Sequence, residues 1–368
     1  MDIPLIDLSA QYQRLKPQID AAIEQTITQM AFIGGESIAQ FEQTFANYLS
    51  ASQVVSCGNG TDALEIILQV LEIGPGDEVL VPAMSWISTS EVVVTAGAMP
   101  VFIDVDPITY TISSQEAARK ITKRTKAIIP VHLYGHPADM PTIMQLAEQH
   151  KLWVIEDCAQ AHGATINGQK VGTWGHAAGF SFFPSKNLGC YGDGGAMVFR
   201  DEEAAERARI IARHGQQTRH HHVLHGRNSR LDGLQAAILL AKLPYLNQWI
   251  EEKSQAAQHY TQELAKVDSI TTPQVQPDSK HGWHLYVIRT QQRDRLKNHL
   301  KSNGIQTGIH YPTALPFHEC YQEMNHQPEE FLVTNQYQPE ILSLPMYAEL
   351  TESQIAHITQ TITDFFAV

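Results

Sequence analysis

Apolar and polar positions change their rhythm twice along this chain. Between about residue 50 and about residue 200, short apolar runs alternate with stretches whose apolar positions recur every three or four residues. The runs predict strands near Val54–Cys57, Val79–Val81, Val101–Asp104, Ala127–Val131, Trp153–Glu156, Gly179–Phe183 and Ala196–Phe199. Helical stretches such as Thr61–Leu71 and Met140–His150 lie between them. Such alternation predicts an α/β architecture with a seven-stranded, mostly parallel sheet between helices. Ahead of the first strand, Ile38, Phe41, Phe45 and Tyr48 fall near one face of an amphipathic helix. Leu231–Ile250 is helix-like, and beyond it the rhythm changes again. Asp268–Ser279 carries Pro273 and Pro277 and predicts a connection. A strand at Trp283–Arg289, a helix at Arg293–Asn303, a further strand and a helix at Thr351–Phe366 predict a smaller α/β unit. The expected division is a large domain over residues 1–250, with a helical N-terminal segment, and a small C-terminal domain over residues 251–368.

Composition narrows the function. A chain of 368 residues with 43% apolar residues can bury a sizeable core. A formal charge of −13 argues against nucleic acid as a partner, because a phosphate backbone wants Lys and Arg. Cys57, Cys158, Cys190 and Cys320 have no paired spacing, which fits a reduced, cytoplasmic chain with no disulfide framework or zinc site. Met1-Asp2-Ile3-Pro4 does not begin a signal peptide, and no apolar stretch approaches the ~18 residues of a membrane span.

Candidate chemistry gathers where strands end, the edge at which parallel sheets bind ligands. Asp157 follows the run Leu152-Trp153-Val154-Ile155-Glu156. It is either a helix cap or a carboxylate aimed at a ligand. Gln160, one turn on, can point the same way. Lys186 closes Ser181-Phe182-Phe183-Pro184-Ser185-Lys186, just before the run Gly189-Cys190-Tyr191-Gly192-Asp193-Gly194-Gly195. A lysine beside a buried site loses proton affinity and becomes a nucleophile able to form a Schiff base; at an open strand end it is only a surface charge. Ser181 lies on the same strand and can donate to a phosphate. Gly58-Asn59-Gly60-Thr61-Asp62 leads from a strand into a helix N-terminus, whose free N–H groups suit an anion. Read blandly, it is a turn capped by Thr61 or Asp62. Trp86, after another strand, can stack on a ring or simply fill core. An amine, a strand-end carboxylate and a phosphate cradle are what pyridoxal phosphate (PLP) needs from a protein. His220-His221-His222 are adjacent rather than spaced, so they predict a loop and not a metal site. His310-Tyr311-Pro312 is either a substrate contact or a proline-set turn.

Taken together, these segments resemble the DegT/DnrJ/StrS family of nucleotide-sugar aminotransferases, which have the fold-type-I PLP architecture. The resemblance also includes Phe32-Ile33-Gly34-Gly35, Pro130 to Gly135, Gly226 to Ala237, Gly308 to Pro312 and Leu342 to Pro345. It implies that Lys186 forms the Schiff base, Asp157 pairs with the pyridinium, Gln160 holds the phenolic oxygen and Trp86 stacks on the ring. It implies phosphate binding by Gly60, Thr61 and Ser181, with Asn228 reaching the neighbouring subunit's site. Arg230, His310 and Tyr311 resemble contacts to the nucleotide-sugar. A homodimer with shared sites is then the expected unit. The family's sugar dehydratases have His in place of the Schiff-base lysine, so Lys186 implies amino transfer.

Ile3 to Leu8, Asn228 to Asp232 and Ile309 to Pro312 look most like members acting at C3 of the sugar. The expected reaction turns a dTDP- or UDP-linked 3-keto sugar into the 3-amino sugar, with L-glutamate as amino donor. The alternatives are a C4 aminotransferase and a non-catalytic PLP-binding regulator. His220-His221-His222 and Tyr347 depart from the family's usual Tyr-x-His and histidine.

Overall fold

A computed structural model describes residues 2–367. Its centre is a seven-stranded sheet: β1 (Gln53–Cys57), β2 (Glu78–Pro82), β3 (Met99–Ile103), β4 (Thr125–Ile128), β5 (Trp153–Asp157), β6 (Ala177–Ser181) and β7 (Gly195–Phe199), in the order β1-β7-β6-β5-β4-β2-β3. Six strands run parallel and β7 alone is reversed, pairing antiparallel with β1 and β6. The expected seven-stranded α/β sheet is therefore present.

Successive residues along a strand face opposite sides, and here both sides are covered. Val54 and Val198 pack with helices Glu36–Leu49 and Gly233–Lys242. Val55 and Met197 pack with helices Gly60–Val70 and Glu202–Ala212. The carboxyl ends of β1, β2, β5 and β6 share one edge, and the reversal of β7 brings Gly195 opposite both Cys57 and Ser181. Two phosphate-binding candidates thus meet there.

Several boundaries differ from the sequence reading. Leu231–Ile250 is not one helix. Pro244 lies in a 3-10 turn, Leu243–Tyr245, between Gly233–Lys242 and Leu246–Leu264; proline cannot continue the hydrogen-bond ladder of a helix interior. The second helix runs straight through residue 250. Leu246 and Ile250 join the large sheet's core, whereas Ala257, Tyr260 and Leu264 join that of the small unit. The small unit pairs Tyr286–Arg289 with Ile341–Leu344 beneath helices Arg293–Ser302 and Glu352–Phe366. Two segments cross between the units. Ile3 bonds to Gly304 at 2.8 Å. Leu315 returns to the large sheet and donates to the Ala83 carbonyl at 2.8 Å. No described helix is long and apolar enough to cross a membrane.

Candidate functional site

Asp157 ends β5 and is only 7% exposed. Its backbone is fixed by Pro130 and His132 on the neighbouring chain segment, at 2.9 and 3.1 Å. Its Oδ1 accepts from the Ala159 N–H at 3.1 Å, and Oδ2 accepts from the Thr89 hydroxyl at 3.0 Å. A carboxylate has about four acceptor positions, so two remain to face a ligand. Burial pushes this carboxyl above the usual range, while the Ala159 and Thr89 hydrogen bonds and the charge of Lys186 pull it back.

Lys186 sits on the turn after β6, its N–H bonded to the Phe183 carbonyl at 2.9 Å. Desolvation brings its ammonium down to about 8, against the opposing pull of Asp157. The next side chain anchors this turn. Asn187 donates to the Gly282 carbonyl at 2.6 Å and accepts from Lys253 at 2.8 Å.

The phosphate candidates are brought together. Asn59 caps helix Gly60–Val70, its side chain accepting from the Asp62 N–H at 2.8 Å. The cap is therefore Asn59 and not Thr61 or Asp62. That leaves the N–H groups of Gly60 and Thr61 at the positive end of the helix, where an anion is favoured. A Cβ on Gly60 would lie 2.8 Å from the Cβ of Ser181, so the turn and β6 touch only because residue 60 has no side chain. The Ser181 hydroxyl accepts from the Phe183 N–H at 3.3 Å and keeps its own proton to donate. The Thr61 hydroxyl lies 2.7 Å from that of Ser88.

Gln160 bridges the two units. Its oxygen accepts from the Tyr134 N–H at 2.6 Å, and its amide donates to the Tyr311 hydroxyl at 2.9 Å. One N–H of the amide stays free. Trp86, 57% exposed, has its ring 5.6 Å from that of Tyr311. Such exposure in an aromatic side chain at a strand-end loop suits stacking by a ligand. His310 bonds through Nδ1 to the Ser343 hydroxyl at 2.8 Å, and its carbonyl accepts from Tyr134. Burial and Lys186 lower the His310 imidazolium to about 4, and burial raises the Tyr311 phenol.

Asn228 and Arg230 flank the buried Ser229, whose hydroxyl accepts from the Gly58 N–H at 3.0 Å. Both are exposed, and Asn228 pairs with Arg213 on a separate bridge. Arg230 lines a cleft with Gly34, Gly35, Arg209, Arg213 and His214, none of which lines the cavity at Lys186.

Sequence reading missed two supports of Asp157. One is Thr89, whose spacing four residues after Ser85 was the available signal. The other is Glu156, fully buried on β5. It accepts from the N–H groups of Gly172, Trp174 and Gly175 at 2.8, 2.8 and 2.7 Å, and its Oε2 lies 3.0 Å from His132 Nε2. His132 Nδ1 accepts from Ala138 at 3.0 Å, so its proton sits on Nε2 and points at Glu156. Glu156, His132 and Cys158 converge as metal ligands do. The lone pairs of Glu156 and His132 are already spent on the protein, burial keeps the Cys158 thiol protonated, and the cluster is structural.

The chain belongs to the DegT/DnrJ/EryC1/StrS aminotransferase family, whose sequence profile matches residues 13–363. It is 45% identical over 366 residues to the UDP-N-acetyl-3-dehydro-alpha-D-glucosamine 3-aminotransferase of Acidithiobacillus ferrooxidans, covering 98% of this chain and 97% of that protein. It is 42% identical over 368 residues to a pleiotropic regulatory protein of Geobacillus stearothermophilus, covering 100% and 99%. The crystal structure of S. venezuelae DesV in complex with a ketimine intermediate superimposes with a TM-score of 0.97 at 38% identity, covering 100% of this chain and 99% of that one.

Proposed function

We propose that this protein is a PLP-dependent aminotransferase that converts a dTDP- or UDP-linked 3-keto sugar into the 3-amino sugar, with L-glutamate as donor. The observation that carries the reading is Lys186 on the turn after β6, within electrostatic reach of a buried Asp157 whose carboxylate keeps two acceptor positions free. The residues fit PLP: the Gly60–Ser181 contact and the free helix N-terminus suit its phosphate, Asp157 its ring nitrogen, and Trp86 its face. When bound, PLP supplies an electrophilic carbon and an electron sink. Lys186 Nζ, neutral in a good fraction near pH 8, would hold the cofactor and would serve as the group that moves the proton. Asp157 would keep the ring nitrogen protonated. The N–H of Gln160 left over from its Tyr134 and Tyr311 bonds would donate to the phenolic oxygen.

The assembly we infer is a homodimer. Asn228 and Arg230 are exposed and their side chains make no hydrogen bond among the described residues of their own chain, so both are free to reach a partner's site. There Asn228 would hold the phosphate of the cofactor and Arg230 the pyrophosphate of the substrate. His310 and Tyr311 would contact the sugar. Cytoplasmic work fits the free thiols, three of them buried.

Relatives named as 3-aminotransferases favour C3 over C4. The likeness to a regulatory protein does not replace catalysis, because Lys186 is intact. The test is absorbance. L-glutamate should remove the visible band of the bound cofactor, and a nucleotide-linked 3-keto hexose should restore it. A band indifferent to both would leave only a PLP-binding protein.

A further inference from the structure

Helix Ser88–Thr95 begins just after the loop that carries Trp86. Thr89 and Ser85 in this region are 0% and 4% exposed, and their hydroxyls lie 2.8 Å apart. Thr89 has one proton, and it points to Asp157 Oδ2 at 3.0 Å. Ser85 must therefore donate to Thr89, so the chain has one direction: Ser85 to Thr89 to Asp157. A hydroxyl rotor otherwise turns freely, and here Ser85 occupies the acceptor side of Thr89 and holds its proton on the carboxylate. The same five residues carry Trp86 between the two hydroxyls. The stacking ring and the ring-nitrogen partner are thus tied through one short segment.

We propose that Ser85 and Thr89 are positioning residues that orient Asp157 towards the pyridine nitrogen of PLP and keep it anionic there. The proposal rests on Asp157 being the ring-nitrogen partner. Loss of the Thr89 hydroxyl leaves Oδ2 free to rotate away and removes a charge-assisted hydrogen bond from a buried group.

The test uses the full-length holoprotein loaded with PLP labelled with ¹⁵N at the pyridine nitrogen. Thr89→Val should move the ¹⁵N resonance towards the unprotonated position and weaken PLP binding by roughly tenfold, the scale of one hydrogen bond to a charged group. Thr89→Ser should restore both, since it returns the hydroxyl. Ser85→Ala should shift both in the same direction by less, and it gives the answer if Thr89→Val does not fold. Asp157→Asn is the reference. If it moves the resonance but Thr89→Val and Ser85→Ala do not, the positioning role is wrong while the reading of Asp157 stands. If none of the three moves it, both are wrong.

Discussion

Gly60 and Ser181 touch so closely that a single added carbon would leave 2.8 Å between their β-carbons. The contact joins a helix N-terminus to the end of β6, and it sets the space between the two groups proposed to bind phosphate. Gly60→Ala should push the helix start off the strand. Overpacking of this kind costs about 1–3 kcal/mol. The variant should melt at lower temperature and bind PLP more weakly than wild type, as measured by differential scanning calorimetry and by titration of the apoprotein. Unchanged affinity would mean that the phosphate binds elsewhere.

Glu156 is the other fixed point of this edge. Glu156→Ala strands three backbone N–H groups and the fully buried His132 in a largely buried site. Loss of a partner of buried, charge-assisted hydrogen bonds costs about 3–5 kcal/mol. Urea unfolding should show that loss of stability. A loss under about 1 kcal/mol would show that water replaces the carboxylate.

Lys186 carries a pH signature. Its ammonium is lowered from 10.5 to about 8, so its amine is mostly protonated below that pH and mostly free above it. In the apoprotein, reaction with added PLP should speed up about tenfold per pH unit below 8 and level off above it. A rate still climbing towards pH 10 would mean an ordinary exposed lysine. Stopped-flow absorbance reads it directly.

Much of this was legible in the chain. The apolar alternation of Val54 and Val55, or of Val79 and Leu80, marked strands covered on both faces, and strand ends then located Asp157, Ser181 and Lys186. Element ends were less legible. β6 starts at Ala177, two residues before the expected Gly179, because its pairing with β5 and β7 and not its own apolar run sets its limits. Helix Leu8–Thr28 escaped because it buries only Leu15, Ile19 and Thr26 and contains Pro17. The Thr89–Asp157 bond joins residues 68 positions apart. Local periodicity does not encode a contact of that range. The same holds for Arg230, whose proposed role would depend on a second chain.

The proposed homodimer makes a genetic test possible. Lys186→Ala and Asn228→Ala should each be inactive. Mixed under conditions of subunit exchange, half of the dimers are hybrids with one intact site of two, so about a quarter of wild-type activity should return. With exchange verified by mass spectrometry, no recovery would exclude a site shared between subunits.

The central claim is amino transfer at C3 of a nucleotide-linked sugar, and single-turnover absorbance in the reverse direction tests it most directly. Enzyme loaded with PLP is mixed with a dTDP- or UDP-linked 3-amino hexose, and the visible band of the cofactor is followed while mass spectrometry tracks the sugar. The account predicts loss of the band and a 3-keto product, roughly tenfold or more faster than with the 4-amino isomer. A band untouched by the 3-amino sugar, or lost faster with the 4-amino isomer, would contradict it.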